Sequence, residues 1–326
     1  MKPLSVAAAE SRPESWMDLA ARHRVVAAAL FLIVFPWLMP YEALAINILI
    51  YGLYAVGFNL LFGYLGLLSF GHAAFFGAGA YACGIVIAHF GGPWFLAIPV
   101  GVLVAAAIAV VMGFLAIRTR GIYFAMVTLA LSQCVYYLFY QATDWTGGEN
   151  GLRGVNLRAV ELPGISLNIL DPTIKYYFVL AFVVLALWVI SRILASPFGA
   201  VIEAIREREA RARACGYDVA RTKLITFVIS GALCGLAGAL SAIHLSIVPI
   251  ESLHYQMSGI AVMMALLGGM GTFFGPFIGA AAFLLIQDLT SLWTEHWQLI
   301  AGAVFIIFVL FFPKGIWGSL LEWVKR

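Results

Sequence analysis

Apolar residues run along this chain in long uninterrupted blocks, without the alternation of strands and, in several blocks, without a polar stripe at helical spacing. The blocks fall at about residues 25–39, 43–61, 66–89, 94–117 and 121–140, then at 174–194, 223–245, 259–274, 276–292 and 297–312. A helix crossing a bilayer core needs roughly 20 such residues. The pattern therefore predicts an all-α polytopic membrane protein with about ten transmembrane segments. Glycines punctuate 66–89 and 259–292, and both stretches read as candidate broken helices whose freed backbone groups face protein or a cavity. The heptapeptides 71–77 and 269–275 share a Gly-x3-Phe-Phe-Gly spacing, open to reading as a repeat or as coincidence in a chain rich in both residues.

Polar segments divide the chain into an N-terminal tail (1–24), a transmembrane domain (25–312) and a C-terminal tail (313–326). Within the domain lie an outer loop (141–173) and an inner loop (195–222). With both termini cytoplasmic and all ten blocks crossing, sixteen of the nineteen Lys and Arg residues fall inside, and only Arg153, Arg158 and Lys175 fall outside. Trp37, Trp94, Trp293 and Trp297 land at outer ends, where an amphipathic ring is favoured. The C-terminal tail reads as an amphipathic helix on the inner surface. Ala43-Leu44-Ala45 resembles a signal-peptide cleavage site, but the 24-residue polar tail before the first block is long for a leader.

Composition narrows the function classes. Of 326 residues 63% are hydrophobic and 11% charged, and the mean hydropathy is +0.99, which excludes a water-soluble enzyme and a disordered chain. A net charge of +3 is too small to argue for nucleic acid. Four scattered cysteines suggest neither a disulfide framework nor a metal site. There is no G-x-x-x-x-G-K-[ST] phosphate loop and no H-E-x-x-H motif, so no cofactor is expected on this chain. An ion-coupled carrier would be expected to hold several buried carboxylates, and only Asp288 lies within a block. The spans look like a pathway whose energy comes from elsewhere.

The inner loop carries the strongest local signal. Residues 201–214 predict a rigid helix of Ala, Glu and Arg, stopped by Cys215-Gly216 and followed by Asp218 as cap of the next helix. Its mixed charge suits either docking on a cytosolic partner or a plain solvated connector. Gly231-x3-Gly235 and Gly271-x3-Gly275-x3-Gly279 read as close-packing faces. Asn47, Asn59, Ser69, His72, Thr128 and Gln133 are polar within the blocks and are candidates for the translocation path. His72 reads first as a helix–helix hydrogen bond, and Asp288 as a structural or interfacial group.

Five stretches resemble the LivM-type permease of branched-chain amino-acid ABC importers. They are GYLGLLSFGHAAFFGAGAYACGI (63–85), RGIYFAMVTLALSQ (120–133), TGGENGL (146–152), SPFGAVIEAIREREARARACGYDVARTKLITFVISGALCGLAGAL (196–240) and LLGGMGTFFGPFIGAA (266–281). The resemblance covers about 41–312 and implies a permease subunit of the bacterial cytoplasmic (inner) membrane, not an enzyme. It also implies a LivH-type sister permease, two cytosolic ATPases that bind ATP and magnesium, and an extracytoplasmic solute-binding protein. Glu203, Arg206, Glu207, Glu209, Arg213 and Gly216 would then belong to the coupling helix, although Gly216 lies outside the EAA-x3-G spacing of other importers. Urea or amide permeases look similar, and an autonomous ion-coupled carrier is the reading from another class.

Overall fold

The computed structural model describes residues 24–155, 159–162, 165–168, 171–293, 296–312 and 315–319. Expectations for the tail 1–23, for Arg158 and Lys314 and for residues 320–326 lie outside them. The helices are α1 (Arg24–Val34), α2 (Glu42–Asn59), α3 (His72–Ala88), α4 (Trp94–Ala116), α5 (Ile122–Gln141) and α6 (Pro172–Leu194). After them come α7 (Pro197–Ala214), α8 (Val219–Leu245), α9 (Tyr255–Gly268), α10 (Gly275–Ser291) and α11 (Trp297–Phe311). Among the described residues five helices are long and apolar enough to cross a membrane: α2 with its π-helical extension Leu60–Tyr64, α4, α5, α6 and α8. The other apolar blocks form shorter helices of 17 residues or fewer.

Breaks in the backbone explain the shorter ones. Block 66–89 begins as irregular chain, and α3 starts only at His72, because Gly66 takes φ +80° and leaves helical geometry. Block 259–292 is likewise two helices, separated where Gly269 and Gly271 take φ +114° and +71°. The shared heptapeptide has no common structure: 72–77 is the first turns of α3, whereas 269–274 is the link between α9 and α10.

The core is built on small residues. Most of α2 and α3 is buried on every side, and α8 packs its glycines against both α3 and α4. A Cβ on Gly235 would collide with Ala105, one on Gly231 would lie 2.6 Å from the Ala109 methyl, and one on Gly238 would strike the Phe76 carbonyl. In α10, Gly279 approaches the Met264 carbonyl of α9 in the same way. Lipid gives no hydrophobic reason for helices to associate, so this backbone-to-backbone contact and its dispersion energy hold the bundle together. Aromatic rings fill the remaining space, with Phe227 edge-on to Phe75 at 5.4 Å and to Phe124 at 6.1 Å.

The segment 141–173 contains short strands. Strand β1 (Leu152–Arg153) pairs antiparallel with β4 (Ile247–Val248), and β2 (Ala159–Leu162) pairs with β3 (Ile165–Asn168). The first pair ties the outer loop to the chain leaving α8. Asp171 caps α6 by accepting from the Thr173 N–H at 3.0 Å, with Pro172 at the first helical position.

Candidate functional site

Helix α7 is longer than the 201–214 expected, starting at Pro197, and it is not one continuous helix. Its backbone leaves helical geometry at Arg208 (φ −154°, ψ 99°), which makes two short helices of it. Ile202, Ile205 and Ala212 form its buried side, and Glu203, Arg206 and Glu207 are exposed. Its end follows the sequence closely. Gly216 takes φ +88°, donates to the Arg213 carbonyl at 3.0 Å, and Tyr217 donates to the Ala212 carbonyl at 3.3 Å. Both bonds are those of a Schellman stop, which only glycine adopts without strain. Asp218 then caps α8 by accepting from the Arg221 N–H at 3.1 Å.

Beyond the kink, Glu209 turns inward and joins three elements. Its carboxylate accepts from Lys223 Nζ of α8 at 2.8 Å and from Arg213 at 2.8 Å, with Arg120 of the α4–α5 loop at 3.8 Å. Lys223 is 7% exposed, so this charge at the start of α8 is held by Glu209 rather than by water. The hydrogen bond from Lys223 draws the Glu209 carboxyl below its ordinary 4.5 against the opposing effect of burial. Glu209 and Arg213 are therefore engaged within the chain, while Glu203 and Glu207 remain open to a partner. Sequence reading had no signal for Lys223 and Arg120 as the partners of Glu209, since both are distant in the chain.

Arg206, on the near side of the kink, reaches the membrane breaks. A Cβ on Gly66 would sit 3.2 Å from its Cγ, and one on Gly271 would sit 2.8 Å from its guanidinium. Both positions have positive φ, so a side chain at either would be strained. Arg206 thus lies across the two points where membrane helices are interrupted.

Side chains bond several of the backbone groups at the breaks. Asn59, 1% exposed, accepts from the Gly271 N–H and donates to the Thr272 carbonyl, each at 3.0 Å. Thr128 accepts from the Phe70 N–H at 3.2 Å, and Ser69 accepts from the Gly71 N–H at 3.1 Å. Ser258 accepts from the Ala73 N–H and donates to the Phe70 carbonyl, both at 2.9 Å. An unpaired backbone group in hydrocarbon costs several kcal/mol, which is why polar residues collect here. Ser230 donates its hydroxyl hydrogen to the Gly57 carbonyl, so His72 donates to Ser230 through Nε2 at 2.9 Å.

Asn59, Ser69, His72 and Thr128 are buried among helices; Asn47 and Gln133 are half-buried. None of them lines the cavity of about 140 Å³ whose walls include Tyr51, Phe76, Leu245, Glu251 and Met257. Asp288 accepts a hydrogen bond from the Tyr41 hydroxyl, joining α10 to the start of α2. That contact pushes the Tyr41 hydroxyl up to about 12.

Residues 41–309 match the family described as branched-chain amino acid transport system, permease component. The high-affinity branched-chain amino acid permease protein LivM of Salmonella typhimurium is 32% identical over 82% of this chain and 68% of its own length. LivH of the same organism is 26% identical over 82% of this chain and 91% of its own. The ribose import permease protein RbsC of Haemophilus influenzae is 26% identical over 66% of this chain and 67% of its own. No solved structure gives a significant match. Apolar helices of spanning length and sequence likeness across nearly the whole described bundle thus agree, and the chain belongs to the branched-chain amino acid transport permease family.

Proposed function

We propose that the chain is a permease subunit of an ATP-driven importer that moves branched-chain amino acids handed over by a binding protein. The observation carrying this reading is the placement of α7: Glu203 and Glu207 are exposed, while Arg206 lies against the membrane breaks and Glu209 pairs with Lys223 of α8. A push on Glu203 and Glu207 by an ATPase would reach Gly66, Gly271 and Lys223 through single side chains. The kink at Arg208 would let the two halves of α7 move separately. ATP and magnesium would sit in two cytosolic ATPases, and a LivH-type sister permease would complete the membrane part.

The topology belonging to this reading has both termini in the cytoplasm of a bacterial inner membrane and ten crossings. Residues 1–24 form a cytoplasmic tail, 25–312 the permease domain and 313–326 an amphipathic tail. Weak binding along the path suits hand-over, because tight binding by the permease would trap the solute. Uptake into proteoliposomes holding the assembled complex, with leucine, urea and ribose offered on their binding proteins, tests the substrate. Leucine uptake that requires both binding protein and ATP is the expected result. Uptake by this chain alone would overturn the importer reading, and a preference for urea or ribose would overturn the substrate class.

A further inference from the structure

Between α2, α3, α8, α9 and the chain that leaves α8 lies the cavity of about 140 Å³. Its walls are mostly apolar, with Phe76, Leu245, Val248 and Met257 among them. Three polar groups interrupt that lining. Ser241 is 8% exposed, and its hydroxyl has no hydrogen-bond partner among the described residues. The Tyr51 hydroxyl has none either, although its ring stacks on Phe76 at 6.1 Å. Glu251 lines the cavity and is exposed, so it stands at the rim. No cationic nitrogen of the described residues comes within 4.0 Å of its carboxylate. A buried hydroxyl without a partner costs stability, and an unpaired carboxylate beside apolar walls attracts a cation. An ammonium group carrying a branched hydrocarbon complements both features at once.

We infer that this cavity receives the branched-chain amino acid itself. Glu251 accepts hydrogen bonds from its ammonium group at the rim, and the hydrocarbon branch enters between Phe76, Leu245 and Met257. The Ser241 and Tyr51 hydroxyls are free to bond its carboxylate. An apolar cavity of about 150 Å³ admits benzene, so 140 Å³ accommodates the branch of leucine. Urea and ribose carry neither an ammonium group nor a hydrocarbon branch, and the same walls offer them little. The position suits delivery. Strand β4 forms one wall and pairs with Leu152–Arg153 of the segment 141–173, which faces the binding protein in the importer topology. One ion contact beside an apolar recess also gives the weak binding that hand-over requires. The inference rests on the importer reading and adds the residues that first hold the solute.

The test uses the assembled complex in proteoliposomes, with photo-leucine, the diazirine analogue of leucine, offered on the binding protein. Irradiation during ATP-driven uptake and mass spectrometry of the peptides locate the solute. Adducts on Leu245, Met257 or other residues of the cavity wall are the expected result. Adducts confined to other parts of the bundle, or none on this chain while uptake proceeds, would overturn the site and leave the importer reading in place. Absence of ATP-dependent leucine uptake by the parent complex would overturn both. Glu251→Gln removes the charge at nearly constant size and is expected to lower cavity adducts and leucine uptake at least about tenfold. An unchanged adduct yield would remove Glu251 from the site. As a second variant, Ala80→Val adds two methyl groups to the cavity wall. It is expected to lower leucine uptake more than valine uptake, changing their ratio at least about threefold, which general damage to the fold would not do. An unchanged ratio would overturn the cavity as the seat of the hydrocarbon branch.

Discussion

The amide of Asn59 holds both a donor and an acceptor of the link between α9 and α10. Replacing it by leucine keeps the volume but leaves the Gly271 N–H and Thr272 carbonyl unpaired. Asn59→Leu is expected to cost about 2 kcal/mol or more, read as a lower thermal midpoint of the purified complex. A midpoint equal to that of the parent would show that water reaches these groups. Glu209 supplies a pH test. Its carboxyl titrates lower in the fold than its ordinary 4.5, so its contribution to stability is full above that value and disappears as pH falls through the lower folded one. The stability difference between the parent and Glu209→Gln should therefore be largest near neutrality and shrink in acid. A difference independent of pH would remove the ion pair with Lys223 as its source.

At the scale of elements, α7 is tied to the spans by the contacts of Arg206 and Glu209. Arg206→Ala removes the side chain lying across Gly66 and Gly271 and leaves the network at Glu209 untouched. The assembled complex carrying it is expected to hydrolyse ATP at near the parental rate while uptake falls at least about tenfold. Parallel loss of both activities would point instead to damaged assembly. The packing of α8 gives a stability prediction: Gly235→Val puts branched methyls against Ala105 and should destabilise the bundle by about 3 kcal/mol. An unchanged unfolding midpoint would mean that α4 and α8 separate at little cost. These positions were partly legible in advance. The spacing of Gly231 and Gly235 announced a close-packing face, and Gly216 announced the end of α7. The kink at Arg208 had no local signal, because Ala, Glu and Arg on both sides favour helix.

For the whole molecule the decisive quantity is which side of the membrane carries the Arg-rich inner loop. Cys215 is free and exposed within it, so in a Cys134→Ser background an impermeant thiol reagent provides the readout. Labelling from inverted vesicles and none from intact cells is expected. The opposite pattern would reverse the orientation and remove α7 as a contact for cytosolic ATPases. Hydropathy alone located every apolar helix described here, since transfer into lipid depends on composition over a window and not on partners. It also marked 195–222 as a polar, basic segment between two of them. Sequence could not show the partners of the polar residues within the spans. Asn59, Ser69 and Thr128 bond to peptide groups, and His72 bonds to Ser230. Such pairings join segments as many as 213 positions apart, and no local pattern encodes them. Membrane insertion is written residue by residue in the apolar blocks; which glycine meets which carbonyl, and which arginine spans which break, exists only once the helices have packed.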